Sequence, residues 1–166
     1  MNEYNIYLNL LNAIFNNAIN LKSAGRELLS LGRKDKKLLP FARFLLYVGC
    51  EECGKFLLVK DRYPEKLTEK LLKELGFYDH NKKIERLIRN INKYELHLDR
   101  NVRKMGQVIR HNLRENSLYV DFTGPNTLMP SGFKNKNELF ALVSLANNLI
   151  KYCQLELTNF KKNPFL

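Results

Sequence analysis

The chain has 166 residues, 45% of them hydrophobic and 27% charged, which is enough for one complete core and too little for two, so a single domain spanning residues 1–166 is expected. Its 28 Lys and Arg outweigh 17 Asp and Glu by a formal net charge of +11. That balance favours an anionic partner such as RNA, DNA, an acidic protein or a lipid headgroup without choosing among them. The longest apolar run, residues 44–49, falls far short of the roughly 18 to 20 residues that span a bilayer, so no transmembrane helix is expected. The opening MNEYNIYLNLLNAIF has an acid where a signal peptide wants basic residues and Asn within its apolar stretch, which reads as a cytoplasmic protein. Three cysteines, an odd number, argue against a disulfide framework in a chain of this length.

Over residues 4–31 the apolar positions Leu8, Leu11, Phe15, Ala18, Leu21, Leu28 and Leu29 recur at spacings of three and four, which predicts one long amphipathic helix. Gly32 and the charged run Arg33-Lys34-Asp35-Lys36-Lys37 predict a left-handed glycine stop and a solvated connection. Because that connection is short, the second helix should return antiparallel to the first. Pro40 fits its first turn, where an amide hydrogen has no helical partner. The helix should run to about Asp61, apolar nearly all round in its first half, and is the candidate for the central buried helix. Tyr63-Pro64 breaks it, and residues 64–75 predict a shorter helix ending at Gly76.

From about Asn81 to Arg114 the apolar positions Ile84, Leu87, Ile88, Ile91, Leu96, Leu98, Val102, Met105, Ile109 and Leu113 keep a mostly helical rhythm, with a disturbance of phase near His97. Residues 117–133 differ in kind: Leu118-Tyr119-Val120-Asp121-Phe122 has strand-like composition and precedes Gly124-Pro125, Pro130 and Gly132. A long ordered loop with an extended piece is expected, of a length that is often functional. A last helix over residues 135–159 places Leu139, Leu142, Val143, Ala146, Leu149, Ile150 and Cys153 on one face, and the tail KKNPFL should fray.

The most unusual stretch is Cys50-Glu51-Glu52-Cys53-Gly54-Lys55, where two carboxylates and a glycine interrupt an otherwise apolar helix. Removing one partner of a buried ion pair costs roughly 3 to 5 kcal/mol, so something must meet these carboxylates. Glu51 and Lys55 stand one turn apart and can pair, whereas Glu52 faces elsewhere and needs a partner from another helix. The group is either a site or a salt-bridge network that fixes helix packing. Cys50-x-x-Cys53 lies well inside a helix, not at the N-terminus a redox pair uses, and zinc would need two further ligands, so buried small side chains are the expected reading. His97, between two leucines, reads as a half-buried histidine. Arg110, His111 and Arg114 near a helix end could grip phosphate, against the blander reading of a solvated basic face.

Three blocks in order carry a family resemblance: Glu51-Glu52-Cys53-Gly54-Lys55, then Phe77-x-x-His80-x-x-Lys83, then Leu118-Tyr119-Val120-Asp121 before the Gly and Pro loop. Together with the helices between them, over about residues 10–155, the chain resembles the HEPN domains of the AbiV abortive-infection family. The resemblance implies an all-α, HEPN-like bundle of four to five helices with a long extended loop before the last, usually a homodimer. It also implies a phage-defence protein acting on RNA rather than on a membrane, frequently as a metal-independent endoribonuclease without cofactor, and a possible phage-encoded activator protein as partner. On this reading Glu52, Lys55, His80 and Lys83 are the catalytic candidates, with Arg110, His111, Arg114, Tyr119 and Asp121 as RNA-binding candidates. His supplies proton transfer and Lys stabilises charge developing on phosphate oxygens. The spacing of three puts His80 and Lys83 on one helix face. The wider HEPN pattern of Arg, four to six residues, then His is not met, since Arg89 to His97 and Arg103 to His111 each leave seven residues between. A non-catalytic module that senses a phage protein or nucleic acid is therefore the alternative.

Overall fold

A computed structural model describes residues 2–93 and 136–163. Among these residues every regular element is helical: α1 Glu3–Leu31, a short 3-10 turn Lys36–Leu38, α2 Leu39–Lys60, α3 Glu69–Leu75, α4 His80–Lys93 and α5 Lys136–Lys162. The all-helical bundle expected from the sequence is thus the observed architecture. The latter part of the expected fourth helix, the disturbance near His97 and the long loop lie outside the described residues.

The three-and-four spacing at the start of the chain produces α1, whose first free amides are met by Asn2: the Asn5 N–H donates to its side-chain oxygen at 3.0 Å. Its buried face carries Tyr7, Leu11, Ile14, Phe15, Ala18 and Gly25. The left-handed stop expected at Gly32 is not what ends the helix. Gly32 stays right-handed at φ −63° and its N–H donates to Leu28 O at 2.8 Å. The reason for glycine here is room, because a Cβ would run into the Leu39 side chain. Asp35 then caps the 3-10 turn by accepting from the Lys37 N–H at 3.0 Å.

α2 returns antiparallel to α1, as the pairings show: Gly25 lies against Ala42 and Leu46, Gly49 against Ala18, and the Phe15 and Phe56 rings are 6.4 Å apart. α5 runs along the same helix in the opposite sense to α1, with Cys153 Sγ 3.9 Å from Cys53 O, Lys60 paired to Glu156, and Phe160 stacked on Tyr4 at 5.6 Å. Between α1, α4 and α5, α2 buries Leu46, Tyr47, Cys50, Cys53, Phe56, Leu57 and Val59. It is the central helix that its all-round apolar composition predicted. Burying a Leu, Val or Phe side chain contributes about 1.5–3 kcal/mol, and α2 supplies Leu46, Phe56, Leu57 and Val59 to the core in this way.

α3 ends where expected but begins later. Gly76 takes the left-handed conformation (φ 74°), while Gly76 N–H bonds Lys73 O at 3.0 Å and Phe77 N–H bonds Leu72 O at 2.9 Å, which is a Schellman closure. At the other end residues 64–68 are not helical: the Leu67 N–H donates to the Glu3 carboxylate at 3.2 Å, and Thr68 caps the helix by accepting from Leu71 N at 3.1 Å. Thr68→Ala is therefore expected to lower stability by about 1 kcal/mol, read as a shifted midpoint in urea; a midpoint unchanged from the parent would show that the cap does not matter.

α4 begins at His80, one position before the expected Asn81, because Asp79 serves as its cap. The Lys82 N–H donates to the Asp79 carboxylate at 3.3 Å and the Lys83 N–H to its carbonyl at 3.2 Å. On α5 the predicted inward residues Leu139, Leu142, Ala146, Leu149, Ile150 and Cys153 are buried and Val143 is partly so, with Leu145, Tyr152, Leu157 and Phe160 also in the core.

Candidate functional site

One turn of α2 and the first turn of α4 bring the charged blocks together. Glu51 is only 2% exposed, and its Oε2 lies 2.6 Å from His80 Nδ1 and 3.8 Å from Lys83 Nζ. Lys83 is itself 4% exposed, and its ammonium is 3.4 Å from the same imidazole nitrogen. A ring nitrogen that close to a carboxylate oxygen carries the hydrogen, so in the neutral ring the lone pair sits on Nε2. The His80 side chain is 38% exposed, which leaves it at the rim with its inner nitrogen anchored. The other Glu51 oxygen, Oε1, is buried without a hydrogen-bond partner among the described residues.

The neighbouring carboxylate does a different job. Successive helical positions diverge by about 100°, so Glu51 and Glu52 cannot face the same group. Glu52 accepts from Lys55 Nζ at 2.5 Å, and that ammonium lies 4.8 Å from the centroid of the Phe77 ring. Phe77 in turn meets Tyr78 edge-on, with centroids 5.2 Å apart and an interplanar angle of 77°. This reverses the pairing expected from spacing: Lys55 pairs with Glu52, while Glu51 takes its partners from another helix. The i,i+3 pair forms because Lys55 is drawn toward Phe77 and away from the interior that Glu51 occupies.

Gly54 makes the approach possible. A Cβ on it would strike the backbone carbonyl of Lys83, so α4 can seat its first turn on α2 only above a residue without a side chain. Farther along the same interface Arg86 pairs with Asp61 and Leu87 is buried. The Glu-Glu-x-Gly-Lys block thus has a physical account at four positions: one carboxylate for α4, one for Lys55, a gap for the Lys83 backbone, and a cation for Glu52 and Phe77.

Of the catalytic candidates, Glu52, Lys55, His80 and Lys83 all lie here, in two adjoining groups. His80 and Lys83 share Glu51, whereas Glu52 and Lys55 belong with Phe77. Glu51 itself was absent from the candidate set. Its signal was available, since a carboxylate in the buried middle of α2 must be met by a cation or hydrogen-bond donor. Arg110, His111, Arg114, Tyr119 and Asp121 lie outside the described residues.

Cys50, Cys53 and Cys153 are free and buried. Burial pushes the Cys50 and Cys153 thiols well above their usual range, which leaves them protonated and unreactive. Among the described residues no three His, Cys, Asp or Glu side chains form a group that could hold a metal ion. Iodoacetamide at pH 8 is expected to label the native protein slowly and the urea-unfolded protein at all three cysteines; rapid native labelling would contradict this burial. No helix among the described residues is long and apolar enough to cross a membrane.

An all-helical bundle whose central helix carries this charged turn against the start of α4 is a HEPN-like fold. The chain belongs to the AbiV family of HEPN proteins, whose family model matches residues 6–151 and so includes all three sequence blocks. No curated protein and no solved structure matches it.

Proposed function

We propose that this protein acts on RNA in abortive infection as a metal-independent endoribonuclease, with His80 as the residue that moves the proton. The observation that carries the reading is a rim imidazole, 38% exposed, whose Nδ1 is held at 2.6 Å by a buried carboxylate. In that arrangement Nε2 takes the proton from a ribose 2'-hydroxyl, and O2' attacks the adjacent phosphorus. The P–O5' bond breaks, a 2',3'-cyclic phosphate forms, and the leaving 5'-oxygen takes a proton from water. Glu51 positions the ring through its contact with Nδ1. Lys83 is too buried to reach a phosphate and acts by balancing Glu51, whereas Lys55, held by Glu52, is partly exposed and is the cation open to a phosphate oxygen. The protein works as a homodimer in this reading, and a phage-encoded protein is its activator.

The deciding experiment incubates purified protein with total cellular RNA and with tRNA, with and without EDTA, beside a folded His80→Ala variant. Cleavage that survives EDTA and disappears in the variant supports the reading. Cleavage that is unchanged in the variant removes His80 from it.

A second reading is favoured by the burial of Glu51 and Lys83 together with the missing Arg-to-His spacing. In it the ion cluster is a lock between α2 and α4, and the basic protein binds nucleic acid or a phage protein without cutting. Affinity for RNA that falls steeply with salt, in the absence of cleavage, would support that alternative.

A further inference from the structure

The division of labour between the two carboxylates leaves the group built on Glu52 without a role in proton transfer, and its geometry fits a different one. The group begins in the core of the bundle and ends in solvent. Glu52 holds Lys55 at 2.5 Å, Lys55 caps the Phe77 ring at 4.8 Å, and Phe77 braces Tyr78 from the side at 5.2 Å and 77°. Tyr78 is 59% exposed. Leu31, Phe41, Phe140 and Leu155 are also exposed, but Tyr78 alone lies in the loop that leads into His80. That loop is tied down at both ends, by the left-handed Gly76 closure behind it and the Asp79 cap of α4 ahead of it. A largely exposed aromatic ring, held against Phe77 at 77° and two residues from an anchored imidazole, has the form of a stacking surface.

Resting on the RNA reading above, we infer that Tyr78 is a nucleobase platform that stacks an unpaired base next to the phosphate presented to His80, with Phe77, Lys55 and Glu52 as its positioning residues. Two chemical consequences follow. The substrate class is single-stranded RNA or a loop, because bases inside a duplex are already stacked and cannot lie on a side chain. Recognition is tolerant of sequence, since every base offers a π face, with preference for the larger purine surface. The Lys55 ammonium beside the shelf supplies a positive charge for the adjoining phosphate, so one base and one phosphate are held together.

The chain contains no tryptophan, so Tyr78→Trp in the full-length protein introduces a single reporter at the shelf. The probe is a short 2'-O-methyl oligoadenylate, which cannot undergo the transesterification, compared with a strand of equal length and charge bearing abasic residues. Quenching of the tryptophan by the base-bearing strand, little by the abasic one, is the expected result. With the tyrosine protein itself, Tyr78→Ala should bind the oligoadenylate about 5- to 150-fold more weakly, the range typical of losing one base–aromatic stack, and Tyr78→Phe should bind nearly as the parent does. Equal affinity for base-bearing and abasic strands, or a Tyr78→Ala variant that binds like the parent, overturns the inference. The parent's cleavage of unmodified RNA is read separately. His80-dependent cleavage without base-dependent binding removes the shelf and keeps the nuclease, whereas base-dependent quenching without cleavage keeps the shelf and removes the chemistry.

Discussion

Glu51→Ala is expected to destabilise the fold by about 3–5 kcal/mol, the usual consequence of removing one member of a buried ion pair. The reason lies in what stays behind. Lys83 is 4% exposed and its ammonium faces Glu51 Oε2 at 3.8 Å, while His80 Nδ1 gives its hydrogen to the same oxygen at 2.6 Å. Deleting the carboxylate strips a buried ammonium and an imidazole N–H of their shared acceptor at once. Against total stabilities of about 5–15 kcal/mol for a domain, such a loss is a large share. Replacing both charges, as Glu51→Leu with Lys83→Met, should recover much of it, because apolar side chains of similar volume tolerate the site that a lone charge cannot. Urea unfolding of the parent, the single variants and the double variant measures the coupling. A Glu51→Ala loss below about 1 kcal/mol would mean that water reaches the pair, as at exposed salt bridges.

The second large effect is on rate. His80→Ala should reduce RNA cleavage by about one hundred- to ten-thousand-fold, the range for removing a general acid or base, while leaving the fold nearly intact because that side chain is 38% exposed and Glu51 retains Lys83. Glu51→Gln keeps an acceptor for the Nδ1 hydrogen and removes only the charge, so its rate should fall between the parent and His80→Ala. A combined Glu51→Gln, His80→Ala variant should be no slower than His80→Ala alone, since the carboxylate acts through the ring. Single-turnover cleavage of a labelled RNA, with each variant checked by circular dichroism, separates these cases. A Glu51→Gln variant that cleaves at the parent rate would show that the carboxylate serves packing alone.

The sequence was most informative where a pattern has a single physical reading. Apolar residues at spacings of three and four gave α1 and α5, the all-round apolar stretch identified α2 as the central helix, and Gly76 marked the end of α3. It was less informative where a local choice depends on a distant group. Residues 64–68 are kept out of α3 by the Glu3 carboxylate, which lies more than sixty positions away and satisfies the Leu67 amide at 3.2 Å. Gly32 looked like a left-handed stop but is right-handed, with the Leu39 side chain packed where a Cβ would lie. The site shows the same division. The residue types of Glu52, Lys55, His80 and Lys83 were legible, but which carboxylate each cation would face was not. Spacing along α2 pointed to Glu51 with Lys55, whereas the structure pairs Lys55 with Glu52 and gives Glu51 to His80 and Lys83 of α4.

The placement of α2 also bears on how the protein comes into being. All residues of the site, from Glu51 to Lys83, leave the ribosome well before residues 136–162, yet α5 supplies one wall of the core around α2. Until Leu142, Leu149, Cys153 and Phe160 arrive, the face of α2 that carries Cys53 lacks its α5 partner. A nascent chain therefore carries Glu51, His80 and Lys83 before it carries the helix that packs against α2. Alignment of the site thus depends on a helix that is made after every residue in it.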